Sequence, residues 1–325
     1  MPLEDSSDFS LRAVELTDAE AYAGVVHAIH PDETADPDVL RARWRHEAVD
    51  PKRQARYLIL NEKRACGLAF WTLVSGPMPQ QPQLANVNVR LVPEQQSQTE
   101  FDWILRRMEI EAAAAGAIIV RVVTREDEPF HRANLARHGY LIDRISRSWQ
   151  LNLVLERGRL LDARAASREA MLTHDFTLSA LTEIAHGDPW SRLYNLAAQT
   201  IPEIPTTIPE PVPSRKAWMQ QMRGPDIHEA RIWTAWYGSN LIGYSYLSYP
   251  AAGDVWTGYT AVTKEYRGLG VARAVKLETL GQAIELGVAL VKTNNDLENS
   301  VVLHLNESLG YEPLPGLITH LKSLG

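Results

Sequence analysis

Cysteine is almost missing: among 325 residues only Cys66 is present. That excludes an internal disulfide framework and any metal site built from several cysteines. Long apolar runs are absent too. Stretches such as Ile118 to Val120 are far too short to span a bilayer. The beginning, Met1-Pro-Leu-Glu-Asp, is acidic and lacks the apolar core of a secretion signal. Positive charge is the minority, 33 Lys and Arg against 40 Asp and Glu. The net charge of -7 argues against a general nucleic-acid binder. The ten histidines are scattered, and none forms an H-x₃-H pair with a carboxylate partner, so no metal is expected. What remains is an ordinary soluble composition, long enough for roughly two domains, and expected in the cytoplasm.

The chain repeats itself. Gly139 and Gly310, each followed by tyrosine after a helical pattern, stand 171 residues apart. The same spacing joins Gly116 to Gly287, and each of these precedes an apolar strand pattern. It also lays Pro93-Glu94 on Lys264-Glu265. Anchors at one spacing with matching local patterns indicate a tandem duplication. Strand patterns are expected near 8–14, 53–60, 64–75, 83–92 and 117–123, and again near 175–180, 230–237, 240–249, 254–262 and 288–293. Helical patterns cover about 17–29, 36–49 and 96–115, then 181–199, 214–223 and 269–286. Residues 1–156 read as one domain, 157–172 as a charged linker able to be helical, and 173–325 as the second domain. Between Thr200 and Pro213 lie five prolines, which neither pair in a sheet nor continue a helix.

The most informative segment is Arg267-Gly268-Leu269-Gly270-Val271-Ala272, between a strand and a long helix. Such a turn presents unpaired amides at the positive end of a helix dipole. Glycines 268 and 270 allow positive φ and close backbone approach, which suits a phosphate or pyrophosphate. A plain tight turn is the simpler reading of two such glycines. A dinucleotide site wants a third small residue where Arg273 stands and an acid after the next strand, which ends instead at Lys292-Thr-Asn-Asn295. A P-loop is excluded because the G-K-[ST] ending is missing.

The order strand, R-G-x-G-x-A turn, long helix, strand with Asn294, Asn299, and Leu309-Gly310-Tyr311 resembles the GCN5-related N-acetyltransferase superfamily. The doubled form is similar to its tandem members, of the kind mycothiol synthase represents. The resemblance implies an α/β (α+β) protein of two tandem domains, each a mixed, mostly antiparallel sheet flanked by helices. It implies acetyl-CoA as cosubstrate. The backbone of Thr260, Ala261, Val262 and Thr263 would meet the pantetheine arm, and the amides from Arg267 through Gly268, Leu269, Gly270 and Val271 to Ala272 would hold the pyrophosphate. The Val262 amide would stabilise the oxyanion. Asn294 and Asn299 would touch the cofactor arm, or alternatively serve as turn or cap residues.

Where many family members carry a tyrosine that protonates the departing thiolate, five residues before the last aromatic, this chain has Asn306. An amide is no acid, but a thiol of pKa ~8.5 lies only ~2 kcal/mol from protonation at neutral pH, so Asn306 is kept as an amide beside the sulfur. An acceptor amine needs a base, and Glu203, Glu210 and Asp254 are the candidates, with Glu203 preferred. Some of Trp190, Trp218, Trp233, Trp236 and Trp256 would line the acceptor cleft, the rest being core.

In the first half, Gln96, Ser97, Thr99 and Phe101 stand where Arg267, Gly268, Gly270 and Ala272 stand in the second. Glu128 replaces Asn299. The N-terminal half therefore reads as a degenerate copy without CoA binding, and Arg90, His131 and Arg132 in it as ordinary surface charges or, alternatively, as ligand residues. The expected protein is a monomeric or homodimeric N-acetyltransferase for a small-molecule amine, without nucleic-acid or membrane partners. Alternatives are a non-catalytic CoA-binding sensor or scaffold and a peptide or protein amine acetyltransferase.

Overall fold

The computed structural model describes residues 9–31, 33, 35–46, 52–74, 83–184, 187–204, 212–250 and 254–325. Glu210 and half of the proline-rich segment, residues 205–211, lie outside them. Two compact units emerge: residues 1–145 with 317–325, and residues 146–316.

In the first unit the strands are β1 (Phe9–Ala13), β2 (Gln54–Asn61), β3 (Arg64–Leu73), β4 (Leu84–Leu91) and β5 (Ile119–Arg125). Neighbours are antiparallel except β4 and β5, which run parallel. Its helices are α1 (Ala19–Ile29), α2 (Pro37–His46), α3 (Gln98–Ala114) and α4 (Pro129–Arg137). Alternate residues of β4, from Ala85 to Leu91, are buried, as period-2 patterning requires of one covered face. Their core includes Val87, Val89, Leu105 and Met108.

Strand β6 (Leu141–Asn152) is followed by α5 (Arg157–Leu172), β7 (Phe176–Ala180), α6 (Pro189–Thr200), α7 (Arg215–Met222), β8 (Ile232–Tyr237), β9 (Asn240–Ser248) and β10 (Val255–Val262). Then come α8 (Val271–Glu285), β11 (Leu290–Asp296), α9 (Ser300–Ser308) and β12 (Glu312–Ser323). The second unit's sheet runs β7, β8, β9, β10, β11, β6. Again only one neighbouring pair, β10 with β11, is parallel. Among the described residues no helix is long and apolar enough to cross a membrane.

The boundaries differ from the expected 1–156 and 173–325. Ser146–Asn152 of β6 pair antiparallel with β11, inside the second unit. The end of the chain does the reverse, Leu317–Ser323 of β12 pairing with β5 in the first unit. Each half therefore completes its sheet with the closing strand of the other, and a division by sequence order misplaces both strands. Residues 157–172 are helical, as their sequence allowed. They form α5, which packs on α8 through Arg164 and Arg168, both bound to the buried carboxylate of Glu278.

Candidate functional site

The site lies in the second unit where two parallel strands part. β10 and β11 pair at Val255–Val291 and Trp256–Lys292 and no further. Beyond that point β10 continues on β9 as far as Val262–Gly243. β11 continues on β6 as far as Asp296–Ser146. Among the described residues the edges facing each other have no strand partners, forming a V that opens toward the Gly-rich turn. The register of β10 on β9 shifts between Thr257 and Tyr259, a bulge centred on Gly258. Only glycine fits there, because a Cβ would lie 2.0 Å from the Tyr246 ring.

Alternation decides which backbone groups face the V. The Thr263 amide donates to the Ile242 carbonyl on β9, at 2.9 Å. Its neighbour Val262 therefore turns its amide the opposite way, into the gap, and so does Thr260. Ala261 and Thr263 do not fit the cofactor role expected of them. Ala261 turns its main-chain groups to β9 by the same alternation, and the Thr263 hydroxyl also donates to Ile242, at 3.0 Å.

The turn itself is a nest. Gly268 and Gly270 adopt φ of +80° and +81°, which side-chain-bearing residues avoid. Gly270 is the N-cap of α8 and supplies no capping side chain. The first-turn amides of α8, from Val271 onward, are thus left for an external acceptor. Leu269 between them is exposed. Beside the turn is a cavity of about 490 Å³, walled by Ala166, Ala170 and Met171 of α5 and by Arg273. The Arg267 guanidinium anchors the turn, donating from Nε to the Val262 carbonyl at 3.1 Å and from Nη2 to Glu203.

The other expected residues are placed less simply. Glu203 ends a short 3₁₀ turn after α6 and is ion-paired with Arg267. Asp254 is ion-paired with Lys292 at 2.6 Å. Asn299 is the N-cap of α9, accepting the Val302 amide at 3.4 Å. Asn294 is exposed on β11. Asn306 is fully buried: its amide donates to Asn295 at 2.7 Å, and its carbonyl accepts from the ammonium of Lys276. Of the tryptophans, Trp218, Trp233 and Trp236 are buried, and Trp190 meets Trp218 edge-on. Trp256, at the vertex of the V, is 37% exposed.

The sequence matches no family profile and no curated protein. Solved structures do match. A GCN5-related N-acetyltransferase from Sphaerobacter thermophilus aligns at TM-score 0.74 and 16% identity, covering 98% of this chain and 96% of its own. A tandem protein of that type from the clavulanic acid biosynthesis pathway aligns at 0.71 and 15%, covering 98% and 99%. A glucosamine N-acetyltransferase region of a fungal multi-domain β-N-acetylglucosaminidase aligns at 0.72 and 11%, covering 97% of this chain and 38% of that one.

The chain has the tandem GCN5-related N-acetyltransferase fold. In this fold the two copies share a strand order and differ at the V. β4 and β5 part after Leu84–Ile119, Ala85–Val120 and Asn86–Arg121. There the gap is bridged by Arg90, whose guanidinium donates to the Val123 carbonyl of β5 at 2.6 Å. Arg90 also lies 3.1 Å from Glu128, which His30 approaches to 3.3 Å. Arg90 and His131 are therefore interior groups, correcting their reading as surface charges. A buried cation needs a nearby carboxylate, and Glu128 is that partner.

Sequence reasoning missed Lys276, Asn295 and the bulge at Gly258. The first had a signal. Val271, Ala272, Ala274, Val275, Leu277, Leu280, Ala283 and Ile284 set apolar residues all round α8, and such a helix has no solvent face for an ammonium. The bulge depends on the cross-strand ring of Tyr246, which spacing alone does not reveal.

Proposed function

We propose that the second unit transfers an acetyl group from acetyl-CoA to the amine of a small molecule, by direct attack in a ternary complex. One observation carries this reading. An unpaired strand edge, at Thr260 and Val262, leads straight into a two-glycine nest at a bare helix N-terminus. The nest suits a pyrophosphate and the edge suits an extended amide-bearing arm, so the residues present fit acetyl-CoA. When bound, it supplies the activated acyl group. Val262 contributes an amide aimed into the gap, where developing negative charge on a carbonyl oxygen is best stabilised. The glucosamine acetyltransferase among the structural neighbours is consistent with an amine acceptor. The unit is proposed to work in the cytoplasm, as monomer or homodimer, without nucleic-acid or membrane partners. The first unit, its gap bridged by Arg90 and its turn without glycines, is proposed not to bind the cofactor.

A second reading is favoured by the pairing of carboxylates. Glu203 and Asp254 both have cationic partners, so neither is a ready base, and a CoA-binding sensor would show this arrangement. Calorimetric titration with acetyl-CoA followed by an amine panel separates the readings. One site per chain with acylated product supports the transferase, and one site without product supports the sensor. Two sites overturn the assignment of a dead first unit, and no binding overturns both readings.

A further inference from the structure

The ammonium of Lys276 is 2% exposed and has no carboxylate partner among the described residues. It donates to the Asn306 carbonyl and lies 4.8 Å from the centre of the Tyr311 ring. Burial alone pulls its pKa down to about 7. Fold stability does not require this group, because the duplication contains its own control. The first unit carries Leu105 and Leu135 where the second carries Lys276 and Asn306. Both leucines are fully buried in an ordinary apolar core. The same helix pair thus packs well with no polar atoms at these positions. A buried unpaired cation is costly, and here it stands where the other copy has a leucine that fits.

Its place is informative. Asn306 reaches across to Asn295, on the part of β11 that β10 has left, so the chain Lys276–Asn306–Asn295 flanks the open stretch of the V. At the vertex, the Thr257 and Tyr311 hydroxyls are buried and face each other, without another hydrogen-bond partner among the described residues. In the first unit the equivalents are satisfied, Tyr140 by Glu109 at 2.8 Å and Asn86 by Arg121 at 2.7 Å. Lys276 and Asn306 are thus the polar groups specific to the copy that has the nest. Other ionisable groups nearby are engaged or turned away. Glu278 is held by α5, Arg273 donates to Ser308 at 2.7 Å, Lys292 is paired with Asp254, and His304 and Glu307 on α9 are exposed.

We propose that Lys276 is the acid that serves the thiolate leaving group in this unit, with Asn306 as the positioning residue that holds its ammonium beside the V. The inference rests on the acetyl-CoA reading above. As the acceptor nitrogen bonds to the thioester carbon, the carbon–sulfur bond breaks and sulfur takes the electron pair. An N–H proton of Lys276 passes to sulfur, leaving a neutral amine. The acceptor nitrogen releases one proton to solvent, and Lys276 regains one from solvent, so the balance closes. A thiol pKa of ~8.5 makes the transfer from this depressed ammonium favourable. Asn306 thus needs no acidity of its own, which resolves the absence of a tyrosine at that position.

The test compares wild type with Lys276→Leu, an apolar replacement that the first unit accommodates, and with Asn306→Leu. Acetyl-CoA, CoA and CoA lacking its sulfur are titrated calorimetrically in buffers of different ionisation enthalpy. Wild type is expected to bind CoA with a single proton held between sulfur and Lys276, releasing protons near pH 7. The sulfur-free analogue and Lys276→Leu should release none, while acetyl-CoA affinity stays within about threefold. Thiol release with the fastest amine of a panel should fall about a hundredfold or more in Lys276→Leu. Asn306→Leu should shift the pH dependence of both signals. Equal proton release from CoA and its sulfur-free analogue, or an unchanged rate in Lys276→Leu, overturns this proposal alone. Failure of wild type to bind acetyl-CoA overturns the transferase reading, and this proposal with it.

Discussion

His131 is an imidazole where a charge is expensive. It is 2% exposed, set against the rings of Phe101 and Phe130. Burial, reinforced by Arg90, lowers its pKa from 6.5 to about 4. The unfolded chain takes up a proton as pH falls below 6.5, whereas the folded chain waits until about 4. Stability is therefore lost across that window and not further below it, by roughly 3 kcal/mol from this group. Glu128 stays charged throughout. Burial opposes its ionisation, but His30, Arg90 and the Arg125 amide outweigh that and bring it to about 2. Denaturant midpoints of wild type between pH 6.5 and 4 should fall accordingly, and those of His131→Leu should fall less, the remainder coming from groups such as His320, whose pKa burial also lowers. In the nest, a Cβ at Gly268 meets nothing within 4 Å, so Gly268→Ala should cost only about 1 kcal/mol through its positive φ. Gly268→Asp should abolish acetyl-CoA binding by placing a carboxylate in the anion site, and Ser97→Asp should leave the calorimetric isotherm unchanged. Gly258→Ala should lower stability by about 1–3 kcal/mol, read as a melting shift, because the Tyr246 ring must move.

At the scale of elements, α5 is held by charge as much as by packing. Glu278, 1% exposed, receives Arg164 at 2.7 Å and Arg168. Arg164 also lies 5.7 Å from the Trp233 ring centre. Glu278→Ala leaves the part-buried Arg164 without this carboxylate, and chemical denaturation should show a loss of about 3 kcal/mol. The helices and strands themselves were legible. α8 follows its expected span closely, and β8, β9 and β10 stand within a residue or two of theirs. The first helix of the second half was read too early: residues 181–183 are a 3₁₀ turn and α6 begins at Pro189. Asp188 caps it, accepting the Ser191 amide, and proline at its first position fits the cap.

Across the whole chain, the exchanged closing strands set the limits of each unit. β12 gives the first unit Lys322, which binds Glu109 at 2.8 Å, and His320, 3.0 Å from Thr124. Ending the chain at Gly316 should strip β5 of a neighbour. Hydrogen exchange is expected to show lost protection at Ile119–Arg125, with the strands of the second unit unchanged.

The sequence alone determined the duplication, the order of elements and the position of the nest. These depend on local rules: periodicity, glycine at positive φ, and unpaired amides at a helix start. Tertiary structure decided the rest. Which strand closes which sheet depends on pairing across distant segments. Which backbone amides face the V depends on the register of β10 on β9. The ammonium of Lys276 acquires meaning only once α9 and β11 bring Asn306 and Asn295 beside it, because burial is a property of neighbours far away in the chain.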